Sequence, residues 1–244
     1  MKKILLLLAV VGFVTISCEK SEEKPENVLS DVPLVEYDNS SAGIYNGIST
    51  NSMCFFSVNI KNGADEVKGN VHLDGVEYKL TPMFTDFQAG DYLRDGAFSF
   101  DKGFITIDID EQGNAEAFLE LKNSTESIQL VVGKSKSTHE VHLYSGIYSE
   151  AVVEGAESWE ANSSELLFLD YNTSNLYRII QEEYDGEKHV NSRQSSFEII
   201  DNVISAGAFD NMELNLLPNK ITGTYSHSEE GYSVDSSISL NRLY

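Results

Sequence analysis

Basic residues are scarce in this chain. Across 244 residues, 17 Lys and Arg stand against 39 Asp and Glu, a formal charge of −22. Phosphate neutralisation needs clustered Lys and Arg, and no basic stripe occurs, so nucleic acid is excluded as a partner. Cysteine is scarcer still, with Cys18 and Cys54 alone. If Cys18 is modified, a single thiol is left and no internal disulfide can form. Cys54 sits in the apolar run Met53-Cys54-Phe55-Phe56 with no His nearby in sequence, which suits a buried core thiol rather than a nucleophile. Long apolar runs are confined to the start. Ile4 to Ile16 follows Lys2 and Lys3 and is too short to cross a hydrocarbon core of about 30 Å, so it is expected to be an export signal. Helical periodicity is also missing. Ser164 to Gln181 comes nearest, but Asp170-Tyr171-Asn172-Thr173-Ser174 interrupts it and two strands are expected there.

Catalytic patterns are absent or misplaced, so no catalytic residue and no cofactor is expected, and the chain is read as a non-enzyme. There is no Gly-Xaa-Ser-Xaa-Gly elbow and no Gly-rich phosphate loop ending in Lys-Ser or Lys-Thr. Ser99 and Lys102 have the spacing of a helical Ser-Xaa-Xaa-Lys pair but fall across an expected hairpin turn. His139-Glu140-Val141-His142 approaches zinc-site spacing, yet residues three apart on a strand point to opposite faces, so no metal is assigned there. Asp108, Asp110 and Gly113 match half of a calcium loop. Its twelfth position is Leu119 rather than a bidentate Glu, and a hairpin turn with exposed carboxylates is the expectation.

What the chain does have is alternation. Phe104-Ile105-Thr106-Ile107-Asp108-Ile109-Asp110 places apolar side chains at every second position, the mark of a strand with one buried face. Similar runs recur from about Asn39 to the end, separated by Asp74-Gly75, Asp95-Gly96, Asp101-Lys102-Gly103, Glu111-Gln112-Gly113-Asn114, Asp185-Gly186, Pro218-Asn219 and Glu230-Gly231. Gly, Asn and Asp accept the positive φ of tight hairpins cheaply, so each is a turn with a mechanism. The fold class expected is all-β, with antiparallel strands forming two tandem β-barrel or β-sandwich units of about 100 residues.

An internal echo supports two units. Ser41-Ala42-Gly43-Ile44-Tyr45 returns as Tyr144-Ser145-Gly146-Ile147-Tyr148, and Glu140 to Tyr144 is similar to the chain end, Ser237 to Tyr244. The boundaries expected are a signal peptide at 1–17, an acidic tether at 18–38, whose lipidation is implied by the resemblance given below, and β units at 39–145 and 146–244. The charge divides evenly: residues 18–145 hold 22 acidic and 10 basic groups, residues 146–244 hold 17 and 5, and both come to −12. That evenness suggests a solvated surface rather than one acidic patch.

Two resemblances add to these readings. Thr15-Ile16-Ser17-Cys18 after the apolar run resembles the signal of bacterial lipoproteins, with Thr15 where that family usually has an aliphatic residue. The resemblance implies that Cys18 is acylated and becomes the N-terminus, held to the outer membrane by two or three chains at about 0.8 kcal/mol per buried methylene. The acidic residues Glu19, Glu22 and Glu23 resemble a surface-export signal, which implies display on the cell exterior. The opening Gly43-Ile44-Tyr45-Asn46-Gly47, followed by Val67-Lys68-Gly69-Asn70-Val71, looks like small lipocalin-like β-barrel modules. Barrels of that kind can hold small apolar ligands.

Trp159, the only Trp, lies in the polar stretch Glu157-Ser158-Trp159-Glu160-Ala161-Asn162. An exposed ring there would stack on a sugar or a peptide side chain, and the alternative is that it packs in the second unit's core. The functional expectation is a surface-anchored lipoprotein acting as a non-catalytic binding or interaction module. Its partners would be the membrane through Cys18 and a glycan, protein or small apolar ligand. A lipocalin-like carrier and a glycan- or peptide-acting hydrolase are the alternatives.

Overall fold

A computed structural model describes residues 30–154, 157–209 and 212–243. The expected export signal and Cys18 lie outside the described residues. The chain forms sixteen strands and two short 3-10 turns, with no α-helix among the described residues. The strands make two closed antiparallel barrels of eight each.

The first barrel comprises β1 (Gly43–Ser49), β2 (Cys54–Ile60), β3 (Val67–Leu73), β4 (Val76–Pro82), β5 (Leu93–Phe100), β6 (Gly103–Ile109), β7 (Ala115–Leu121) and β8 (Ser127–Ser135). It closes where β1 pairs with β8, Gly47 opposite Val132. The alternation seen in the sequence sets what faces inward: Ile105, Ile107 and Ile109 of β6 are buried while Phe104 on the opposite face is exposed. Phe56, Val58, Val71, Phe98, Leu119 and Tyr45 fill the same interior. Each buried side chain of this size contributes about 1.5–3 kcal/mol, which makes this interior the main support of the unit. Cys54 lies in it as a free, fully buried thiol, and burial pushes its pKa up to about 12.

The seam between β4 and β5 is short, with Thr81 opposite Ser99 and Pro82 opposite Phe98. Phe84 and Phe87 from the connecting segment pack over the core beside it, Phe84 edge-on to Phe98 at 5.4 Å. The Asp95-Gly96 pair, expected to be a turn, sits inside β5. The register shifts between Leu93 and Gly96, and Asp95 takes φ 50°, so the pair forms a bulge.

The second barrel comprises β9 (Val141–Glu154), β10 (Glu157–Asp170), β11 (Asn175–Tyr184), β12 (Glu187–Ile200), β13 (Val203–Ala206), β14 (Glu213–Leu217), β15 (Lys220–Glu229) and β16 (Tyr232–Arg242). It closes where β16 pairs with β9, Leu240 opposite Gly146. The Ser164 to Gln181 run is two strands, as the interrupting polar segment implied. Asp185-Gly186 turns with positive φ at both residues, and so does Asp201-Asn202, a turn the sequence pattern did not single out.

Two boundaries differ from the sequence expectation. β9 starts at Val141 and belongs wholly to the second barrel, so the units divide in the 136–140 linker and not at 146. Glu140 to Tyr144 is therefore the entry to the second barrel and not the closing strand of the first, and its likeness to the chain end reflects two paired neighbours: Arg242 lies opposite Tyr144. The expected tether also overlaps the fold. Residues 30–38 are fastened to the first barrel by Asn62, whose buried amide donates to Ser30 O (2.7 Å) and Val32 O (2.8 Å) and accepts from Leu34 N. These bonds satisfy a stretch of backbone that no strand pairs with.

The barrels touch through outward-facing apolar side chains. Ile48 and Phe55 of the first meet Val141, Leu143, Leu166, Phe168 and Ile179 of the second. Gly133 permits this approach, since a Cβ there would stand 2.8 Å from a Val141 methyl.

Candidate functional site

The long hairpins of the second barrel carry the site. β9, β10, β15 and β16 run well past the packed interior, and their inward faces continue in register beyond it. One cross-strand row holds Ala161, Glu150, Ser236 and Tyr225, and the next holds Trp159, Val152, Val234 and His227. The deeper part of the barrel is filled by Leu167, Leu169, Leu176, Phe197, Ile204, Leu214 and Ile238. Between that plug and the hairpin tips lies an open cavity of about 300 Å³ lined by Tyr148, Glu150, Arg178, Phe209, Met212, Tyr225, His227, Tyr232, Val234 and Ser236.

Its floor is an ion pair. Arg178 donates from Nε to Glu165 Oε1 (2.8 Å) and from Nη2 to Glu165 Oε2 (3.0 Å), and Nη1 reaches Ala208 O at 3.2 Å. The guanidinium is held between two rings, 4.9 Å from the Tyr148 centroid and 4.5 Å from that of Phe209. Both charges are buried, Arg178 being 6% and Glu165 0% exposed. Burial pushes the Glu165 carboxyl above its ordinary value, and the Arg178 guanidinium opposes that shift. All of the pair's charge is thereby spent within the wall. What faces the cavity is the Tyr148 hydroxyl, which donates to Glu150 Oε2 at 2.6 Å with Ser236 Oγ 3.2 Å away, and the rings of Tyr225 and Tyr232. Burial, and then the Glu150 carboxylate, raise the Tyr148 pKa, so the hydroxyl keeps its proton.

The connection between β13 and β14 supplies one side of the mouth. The 3-10 turn Gly207–Phe209 is pinned by Ala208 N donating to Ser195 Oγ (3.2 Å), which delivers Phe209 onto Arg178.

Trp159 stands on the inward face of β10 in the row above the cavity and is 50% exposed, so it is a rim residue and not part of the core. Tyr184 and Tyr232 are exposed at the tips of the neighbouring hairpins, Tyr184 stacked on His189 at 3.7 Å. Acidic residues collect at this same end: Glu154, Glu157, Glu182, Asp185, Glu187 and Glu230 flank the three hairpin turns, with Lys188 the base among them. These three turns therefore carry a local acidic excess.

Other residues singled out from sequence lie elsewhere. His142 Nε2 is 2.9 Å from Glu140 Oε2, which also accepts from Arg242 Nη2 at 2.7 Å. His139 sits in the preceding turn beside Thr138. No group of three or more His, Cys, Asp or Glu side chains among the described residues is placed to hold a metal ion. Asp110 caps its hairpin, accepting from Gln112 N, Asn114 N and Asn114 Nδ2, and these hydrogen bonds, the Asn114 amide first, hold its carboxyl below the ordinary value. Asp108 accepts from Asp95 N at 2.6 Å across the bulge, so the two carboxylates of the half calcium loop serve different turns.

Trp159, singled out from the sequence, lies beside the cavity and not in its lining, and Tyr148, Arg178, Glu165 and Tyr225 were not singled out. The signal was there in Leu176, Arg178 and Ile180, alternate residues that share one strand face: a cation on a face otherwise apolar must meet a buried partner. No protein-family model and no curated protein matches the chain.

Proposed function

We propose that the protein is a non-catalytic binding module, lipid-anchored through Cys18 and displayed outside the outer membrane, whose ligand enters the mouth of the second barrel. The observation that carries this reading is the cavity of about 300 Å³ lined by Tyr148, Tyr225, Tyr232 and Glu150 above a floor already neutralised by pairing. Rings and a carboxylate around one small space favour an organic cation: the rings of Tyr225 and Tyr232 attract it through their quadrupoles, the Glu150 carboxylate through charge, and the acidic rim raises its local concentration. The volume is that of a small ligand, at the lower end of typical sites.

Lipocalin-like carriage of an apolar cargo is the second reading, favoured by the closed barrel with its cavity at one end. A wholly apolar cargo would strip water from Glu150 and the tyrosine hydroxyls without replacing it, which counts against that cargo. Hydrolysis draws less support, because the buried carboxylate beside the cavity, Glu165, is engaged on both oxygens by Arg178 and not turned toward a substrate.

Trp159 is the sole Trp and stands one row from the cavity, across Val152 from the lining residue Val234, so its emission serves as a nearby reporter. Titration with benzyltrimethylammonium is expected to change that emission saturably, whereas phenylacetate, of similar size and opposite charge, is expected to leave it unchanged. An equal response to both, or none to the cation, rejects the reading. The anchor is tested separately: Cys18→Ala is expected to move the protein from the membrane fraction to the soluble one.

A further inference from the structure

A second cavity lies outside both barrels, in the groove where they meet. It measures about 590 Å³ and is bounded by the outer faces of β1 to β4, by Glu140, Val141 and Arg242 of the second unit, and by Asp31 and Pro33 of the leading segment. Its floor is one cross-strand row. Gly133 lies opposite Asn46, Asn46 opposite Ser57, Ser57 opposite Asn70, and Asn70 opposite Lys79. At about 4.8 Å per strand, the row from Asn46 to Lys79 spans roughly 14 Å.

The adjoining row is occupied with the protein's own structure. Ser135 Oγ accepts from Val141 N (3.0 Å), Asn59 Nδ2 donates to Ser30 O (2.6 Å), and Lys68 pairs with Asp31 (2.7 Å). The row on the other side, through Ile48 and Phe55, is covered by the second barrel. The middle row differs from both. Asn46, 2% exposed, donates from Nδ2 to Val141 O (3.1 Å), yet its Oδ1 has no hydrogen-bond partner. The side chains of Ser57, Asn70 and Lys79 likewise have no partner among the described residues. A buried acceptor without a donor carries an uncompensated desolvation cost, and a donor arriving at the inner end of the groove would relieve it.

We propose that this groove binds a short neutral oligosaccharide. Charge argues for neutrality: Asp31 pairs with Lys68, Glu140 with Arg242, and the remaining Glu66 and Lys79 offset each other. The chemistry of the row argues for hydroxyls, because a carboxamide and a serine hydroxyl each donate and accept, as sugar hydroxyls do. Ile44, Val141 and Pro33 supply the apolar contact that the C–H faces of a sugar require. A peptide added as a strand fits less well. β1, β2 and β3 are hydrogen-bonded on both sides, so the floor offers a sheet face and no free edge. This site is separate from the mouth of the second barrel and does not rest on the reading given to it.

The test is a titration of ¹⁵N-labelled protein with maltotetraose, cellotetraose, xylotetraose and chitotetraose, with tetra-alanine as the peptide control. At least one tetrasaccharide is expected to shift the side-chain amide resonances of Asn46 and Asn70 saturably, and tetra-alanine to shift neither. Removal of Asn46 deletes its bond to Val141 O where the two barrels meet and can unfold the junction, so the deciding variant is Asn70→Ala, on the exposed side of the row. It is expected to raise Kd at least tenfold while leaving the denaturant midpoint unchanged. The proposal is overturned if none of the four sugars moves these resonances, if Asn70→Ala leaves Kd unchanged, or if tetra-alanine produces the shifts instead.

Discussion

Tyr45 and Tyr148 follow the same Gly-Ile on the first strand of each barrel, and they meet opposite surroundings. Tyr45 is fully buried, donates its hydroxyl to Ser41 O (2.9 Å), and lies under Lys134, whose ammonium is 5.5 Å from the ring and bonded to Tyr37 O and Ser40 O. Tyr148 is half-buried beside Arg178 and faces an open cavity. Strand length accounts for much of the difference. In the first barrel the strands run 7 to 9 residues and their inward faces are used up in filling the interior. In the second, β9, β10 and β12 each run 14 residues, and the surplus carries inward-facing positions past the plug to where polar residues and rings can line a mouth. Eight closed strands are therefore compatible with a filled scaffold or with a receptor, and extension beyond the core decides between them.

The sharpest way to break this comparison is to remove one interior group from each barrel. Phe56→Ala empties the first core and is expected to cost about 3–5 kcal/mol, measured as a shift in the denaturant midpoint. Glu165→Leu leaves Arg178 charged, buried and unpaired, with an expected loss of about 3 kcal/mol or more. The double variant Glu165→Leu, Arg178→Met is expected to recover most of that loss, since an apolar pair of similar volume often replaces a buried ion pair without cost. A double variant as unstable as the single one would show that the pair supports the fold by some route other than mutual neutralisation.

A smaller effect distinguishes the barrels by pH. Burial holds the Lys134 ammonium down at about 8. The unfolded chain keeps that proton to about pH 10.4, so between these values the unfolded state binds more protons and stability rises with pH. The first barrel is expected to gain about 1–2 kcal/mol from pH 8 to pH 10, allowing for partial wetting of the ammonium, and Lys134→Met to lose that gain. Smallest in stability is Trp159→Ala at the rim, expected to change it by under about 0.5 kcal/mol, as exposed positions do, while weakening ligand binding.

The fold was legible in the sequence because period 2 and Asp-Gly turns are local signals. Ile105, Ile107 and Ile109 announce the buried face of β6, and the Gly-Ile-Tyr echo pairs β1 with β9 correctly. What failed depends on long-range partners. The Asp95-Gly96 pair has turn chemistry and forms a bulge because β6 pairs on both sides of it. The unit boundary was misplaced because β9 and β16 are similar as neighbours rather than as equivalents. Trp159 drew notice as a single large residue in a polar stretch, whereas the cavity draws on Tyr148, Arg178 and Tyr225 from three separated strands, and only closure of the barrel brings them together.

The central claim is that the first barrel is a filled scaffold and the second a receptor. Amide chemical-shift mapping of the protein saturated with benzyltrimethylammonium tests it most directly. The account predicts shifts confined to residues 148–152, 159, 178 and 225–236, with the interior of the first barrel from Tyr45 to Leu130 unmoved. Shifts centred on Tyr45, Phe56 or Ile107, or an even scatter over both barrels, would contradict it.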